Sequence, residues 1–153
     1  MRHWFGAALV LLALSPGCSG PPPPPPVLEL MANGGADQNP GADGKPQPVS
    51  VHLYQLAATQ KFSKADVFAL IEHEQATLGA DDLGSNDFVL KPSDKQVVKQ
   101  PLKTGTQALG IVVLFYDIDN AQWRASAPVL ASGLTKLVLD VTRLSVSLKP
   151  AGK

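Results

Sequence analysis

Apolar and polar residues alternate with a period of two over most of this chain, which predicts strands rather than helices. VLELMA at 27–32 predicts a first strand, and PVSVHLYQLA at 48–57 a second. In the second, Val49, Val51 and Leu53 alternate with Ser50, His52 and Tyr54, so one face is expected in a core and His52 on the solvent side. Further strands are expected at 86–91, 96–102, 108–118, 123–130 and 136–148. Ile111 to Tyr116 is apolar on both faces, the mark of a strand central in its sheet. Leu137, Leu139 and Val141 fall on odd positions, then Leu144, Val146 and Leu148 on even ones. That phase shift at Thr142-Arg143 requires a bulge, a bend or a turn. One stretch has helical spacing instead: Val67, Leu70, Ile71, Glu74 and Leu78, with Ser63 as N-cap, Asp66 as the acid of a capping box and Gly79 as the stop. Seven or so short strands separated by turn signals predict a two-sheet β-sandwich, mainly β, with one helix inserted after the second strand.

The first 26 residues follow a different pattern. Arg2 and His3 precede WFGAALVLLAL, 4–14, an uncharged apolar stretch of 11 residues. A spanning helix needs about 20, so a short basic start, this run and the small residues after it read as an export signal. Ser15-Pro16-Gly17-Cys18 resembles a bacterial lipobox, in which a signal peptidase cuts just before an acylated cysteine; Gly17 fits, and Ser15 stands where leucine is usual. Cys18 is the chain's single cysteine. It has no partner for a disulfide, and lipidation gives it a use; several acyl chains at about 0.8 kcal/mol per buried CH₂ would anchor the protein stably. Ser19 after the cysteine resembles the pattern of outer-membrane lipoproteins. Pro21 to Pro26 follow, a stiff spacer of roughly 19 Å at about 3.1 Å per residue. The expected organisation is a signal peptide at 1–17, an acylated Cys18 with a spacer to 26, and a sandwich domain at 27–153.

Between the first two strands lies NGGADQNPGADGKPQ, 33–47, with four Gly and two Pro in 15 residues. It is long for a connection inside a compact domain, and such loops often carry function. Asn33, Gly34, Gly35, Asp37, Gln38, Asn39, Pro40, Gly44, Lys45 and Pro46 are its candidate binding residues. The loop is expected to add little to the core, and the domain to fold without it. Trp123-Arg124 is a second candidate: either a Trp covering the core edge beside a solvated Arg, or an exposed interface pair.

Composition narrows the function classes. With 13 basic and 13 acidic residues the formal charge is zero, which leaves no electrostatic footprint for nucleic acid. One cysteine cannot build a thiolate zinc site. Of the histidines, His3 leaves with the signal, His52 stands alone, and Glu72, His73 and Glu74 diverge around a helix. The turn aspartates Asp81, Asp82, Asp87, Asp117 and Asp119 lack EF-hand spacing. No cofactor, metal site or catalytic constellation is expected, and the chain reads as a non-enzyme.

Three stretches together resemble the outer-membrane lipoprotein of type VI secretion systems, the TssJ (VasD, SciN) family. They are DQNPGADGKPQPVSVHLYQL at 37–56, FSKADVFAL followed by LGADDL within 62–83, and LGIVVLFYDIDNAQWR at 109–124. Tyr116 departs from the family, which often has Arg before the Asp. The resemblance implies a transthyretin-like sandwich with an extra helix, lipid-anchored at the periplasmic face of the outer membrane. It also implies that the partner is the periplasmic part of the inner-membrane protein TssM, contacted by the loop between the first two strands. The competing class is a free-standing periplasmic module that takes a small ligand between sheet and helix, which would require a deep apolar pocket with converging polar groups.

Overall fold

A computed structural model describes residues 20–152. The expected signal peptide and Cys18 lie outside the described residues. Eight strands form two sheets: β1 (Val27–Gly34), β2 (Val49–Leu56), β3 (Asp82–Leu90), β4 (Lys95–Pro101), β5 (Ala108–Leu114), β6 (Arg124–Pro128), β7 (Leu134–Val141) and β8 (Val146–Pro150). The first sheet runs β4-β1-β7-β8 and the second β3-β2-β5-β6. All pairings are antiparallel except β1 with β7.

The inward residues of both sheets make one core. Leu28, Leu30 and Ala32 of β1 and Leu137, Leu139 and Val141 of β7 meet Val49, Val51 and Leu53 of β2 and Leu109, Ile111 and Val113 of β5. Every one of these is at most 2% exposed, as the alternation requires. The phase shift after Val141 is a turn: Thr142 N–H donates to the Ser145 carbonyl at 2.8 Å, and Val141 then faces Val146.

β5 is apolar on its second face because a helical segment covers it. Tyr54 and Leu56 of β2 and Ala108 and Val112 of β5 pack outward against Phe62, Val67, Leu70 and Leu78. The segment is not the single helix its periodicity predicts. It comprises α1 (Gln60–Lys64), α2 (Val67–Glu72) and α3 (Glu74–Leu78), followed by a 3₁₀ turn at Gly79–Asp81. Ser63 is no N-cap: it sits inside α1, its hydroxyl bonded back to the Gln60 carbonyl at 3.0 Å. Asp66 is the cap, of α2, accepting from Ala69 N–H at 2.9 Å. The buried Tyr54 hydroxyl donates to the Leu70 carbonyl at 3.1 Å, the acceptor a continuous helix would offer to residue 74. Burial holds that phenol above its ordinary pKa.

Leu70 is fully buried at this contact, whereas His73 is exposed. Leu70→Ala is expected to cost about 2–5 kcal/mol and His73→Ala within about 0.5 kcal/mol, read from urea unfolding midpoints. Equal small shifts would mean the face is misassigned. His52 is half-buried rather than exposed, and burial lowers its pKa against the opposing pull of Asp87.

The folded body begins before β1. Gly133 N–H donates to the Pro24 carbonyl at 3.2 Å, and Leu102 N–H to the Pro26 carbonyl at 2.9 Å. The spacer free of the domain is therefore about half the length that six prolines suggest.

Candidate functional site

The loop between β1 and β2 lies at the end of β1 away from the prolines, and it has two parts. Asn33 and Gly34 are not loop at all but the last residues of β1; Asn33 Nδ2 donates to Asp140 Oδ1 at 2.9 Å. Gly34 needs its missing side chain, since a Cβ there would collide with the Lys91 carbonyl. The base of the loop is then stitched to the sandwich. Gly35 N–H donates to the Val141 carbonyl at 2.7 Å. The Gln38 side chain is completely buried, its Nε2 donating to the carbonyls of Leu90 at 2.8 Å and Gln47 at 3.2 Å.

Asn39 binds three segments together. Its Nδ2 donates to the Pro48 carbonyl at 2.9 Å, its Oδ1 accepts from Tyr116 N–H at 2.6 Å, and its own N–H donates to the Arg143 carbonyl at 2.9 Å. It adopts φ +46°, a left-handed conformation that asparagine tolerates better than most residues. The expectation that this loop adds little to the fold fails at Gln38 and Asn39, because buried amides that satisfy backbone groups of other segments are structural.

Beyond Asn39 the loop projects as a small closed turn. Pro40 bridges Pro46, Gly41 N–H donates to the Lys45 carbonyl at 2.9 Å, and Gly44 N–H returns to the Gly41 carbonyl at 2.9 Å. Residues 42–48 are exposed. Lys45 and Asp43 approach to 3.7 Å with side chains 78% and 56% exposed, a pair worth little to stability. Beside this tip is an open recess of about 350 Å³, lined on the other side by Tyr116, Asp117 and Arg143. Tyr116 is 67% exposed. Arg143 does not stand out in the sequence, and Tyr116 does so only as a departure from the family pattern; the further signal was an aromatic just past the end of an apolar strand. Of the candidate loop residues, Asp37, Pro40, Gly44, Lys45 and Pro46 are thus left to meet a partner.

Trp123 and Arg124 are half-buried and used internally. Trp123 packs against both cores. The Arg124 guanidinium lies 4.6 Å from its ring centroid, and Nη1 donates to the carbonyls of Phe62 at 2.9 Å and Ala65 at 2.7 Å. Those are carbonyls at the end of α1, where a cation is favoured. The pair latches α1 to β6, so it is neither a solvated Arg nor an exposed interface pair. Arg124→Met keeps the stem and removes the donors; it is expected to cost about 1.5–3 kcal/mol, with thermal unfolding as the check. No loss would return the pair to the candidate surfaces.

Between helix and sheet, the groove lined by Val67, Phe68, Ile71, Leu114, Phe115 and Ile118 has a cavity of about 290 Å³ and one polar side chain, Glu72. It has none of the converging polar groups a small-ligand site needs. Among the described residues, no group of three His, Cys, Asp or Glu is placed to hold a metal, and no helix is long and apolar enough to cross a membrane.

Residues 26–144 match the family model of the type VI secretion lipoproteins VasD, EvfM and TssJ. The chain belongs to that family. The match runs from the end of the proline spacer through the turn that carries Arg143, so it includes the loop base, the tip and the Trp-Arg latch. Among solved structures, the T6SS lipoprotein TssJ1 from Pseudomonas aeruginosa is similar at 28% identity and TM-score 0.80, covering 85% of this chain and 99% of that one. Serratia marcescens Lip, a membrane bound component of the type VI secretion system, shares the fold at 21% identity and TM-score 0.73, over 84% and 98% of the two chains. A chain in a structure described as the T6SS protein TssM C-terminal domain (869–1107) from EAEC is similar at 25% identity and TM-score 0.69, over 82% and 99%. No curated protein matches. The mainly β sandwich with its helical insertion is therefore the architecture of a secretion-system lipoprotein family, not one known for enzymes.

Proposed function

We propose that this chain is the outer-membrane lipoprotein of a type VI secretion system, anchored at the periplasmic face through acyl chains on Cys18, and that it holds the trans-envelope complex by binding the periplasmic part of TssM with the tip at residues 40–46. The observation that carries this reading is polarity along β1. The chain enters β1 at Val27, next to the prolines, and the loop leaves at Gly34. Seven residue steps at about 3.3 Å each put about 23 Å between them. One strand thus holds the lipid end and the binding end on opposite ends of a rigid body, as a mechanical linker requires.

TssM as the partner is supported by the EAEC structure. Its matching chain is covered almost completely by 82% of this one, a length well short of a segment numbered 869–1107. A chain similar to this one thus occurs in a structure described by its TssM domain. The tip's closed hydrogen bonds support binding too, since a preorganised turn loses little freedom on docking.

The purified protein should retain the periplasmic part of TssM from its own organism on an affinity column. Failure to retain it would overturn the partner. Cys18→Ser should leave the outer-membrane fraction, and an unmodified Cys18 in the mature chain, seen by mass spectrometry, would remove the anchor.

A further inference from the structure

The turn between β6 and β7 lies at the end of the sandwich where the chain enters, and it exposes two leucines. Leu130 is 56% and Leu134 41% exposed. With Pro128, Val129 and Pro150 they line an open apolar cavity of about 270 Å³. The spacer is fastened to this same turn, by Gly133 N–H to the Pro24 carbonyl and by Val27 N–H to the Gly133 carbonyl at 2.9 Å. Six residue steps separate Cys18 from Pro24, a reach of at most about 22 Å. A tether that short makes this end of the domain the one held nearest the bilayer; the argument rests on the reading that Cys18 carries the lipid.

The rim suits a phosphate-bearing surface. Lys136 and Lys149 are exposed there. The nearest carboxylate of the same sheet, Glu29, is already held by Lys136 at 3.1 Å and Lys99 at 3.7 Å, and that pairing lowers its pKa. Asp81 and Asp82 belong to the second sheet's side and are engaged by Lys61 at 3.4 Å and by Gln75 Nε2 at 3.0 Å.

We propose that this end is a membrane seat: Leu130 and Leu134 enter the headgroup–acyl boundary of a phospholipid surface, and Lys136 and Lys149 lie along the phosphates. A tether alone would let the domain tumble. A seat fixes the β1 axis away from the bilayer and so aims the tip at residues 40–46 into the periplasm.

The single cysteine makes the test clean. In the full-length acylated protein the Cys18 thiol is consumed, so a cysteine introduced by Leu134→Cys or Ala42→Cys takes an environment-sensitive fluorophore alone. Each labelled protein is reconstituted in vesicles of phosphatidylethanolamine and phosphatidylglycerol carrying spin-labelled lipid. The expected result is a blue-shifted emission and several-fold stronger quenching for the label at 134 than at 42. Equal quenching of the two in vesicle-bound protein overturns the seat while leaving the anchor intact. If the label goes onto Cys18 and the protein stays off the vesicles, the anchoring reading falls and the seat with it. Leu130→Ser with Leu134→Ser should keep the protein on vesicles and free the domain to tumble, read as faster anisotropy decay of a label at 42; an unchanged decay would also overturn the seat.

Discussion

Gly110→Val is expected to leave little of the domain folded. Gly110 sits in the middle of β5, facing the helical segment. A Cβ on it would stand 2.9 Å from Leu56 Cδ1 and 2.9 Å from Cε2 and Cζ of Phe62. Neither neighbour has room to retreat: both are at most 1% exposed, and the Phe62 ring leans on Tyr54 with centroids 5.6 Å apart. Interiors of this density answer added volume with strain, about 1–3 kcal/mol for modest overpacking and more for a branched group. A domain this size has only about 5–15 kcal/mol to lose, and displacing α1 would also break the Arg124 latch. Gly110→Ala should lower the unfolding free energy by about 1–3 kcal/mol, read as a lower urea midpoint. Combining it with Phe62→Leu should recover part of that loss, a coupling of about 0.5–3 kcal/mol in a double-mutant cycle. An unaltered midpoint for Gly110→Ala would mean that the helical segment is not held against β5 as described.

The core was legible in the sequence because its signal is local. Alternation at Val49, Val51 and Leu53, the doubly apolar run through Ile111 and Val113, and the phase shift at Thr142 each report a strand's own surroundings, and the sandwich follows from them. What escaped depends on partners distant in the chain. The helical period runs unbroken through His73, so nothing nearby announces the break; the Tyr54 hydroxyl on the Leu70 carbonyl accompanies it from 16 residues away. Gln38 and Asn39 lie in a Gly- and Pro-rich run, where polarity reads as solvent. Their burial rests on Leu90, 52 residues on, and Tyr116, 77 residues on. Arg124 carries no local sign of its role for the same reason, its acceptors being 59 and 62 residues back. The parallel pairing of β1 with β7 spans most of the domain and has no local signature.

The division of the loop makes the sharpest functional prediction, since fold and binding should come apart within a few residues. Replacing residues 41–45 with a Gly-Ser run of equal length touches only exposed or half-buried positions whose bonds stay within the tip. The thermal midpoint should stay within about 2 °C, as expected for changes within about 0.5 kcal/mol, and retention of TssM should be lost. Asn39→Ala should do the reverse in order of cause. It removes the acceptor of Tyr116 N–H and the donor to the Pro48 carbonyl, and it places alanine at φ +46°. Two part-buried backbone groups lose their partners, at about 1–3 kcal/mol each if water could not reach them; both lie in exposed residues, which gives a loss of about 1–3 kcal/mol. TssM binding would then weaken through a misplaced tip. Exchanging a longer stretch such as 36–42 would confuse the two, because it deletes Gln38 and Asn39 with the tip. If the tip replacement leaves TssM bound, the interface lies elsewhere on this end, and exposed Tyr116 beside Arg143 is where to cut next. If it lowers the midpoint as much as Asn39→Ala does, the tip belongs to the scaffold, and loss of binding by that variant would no longer identify a contact surface.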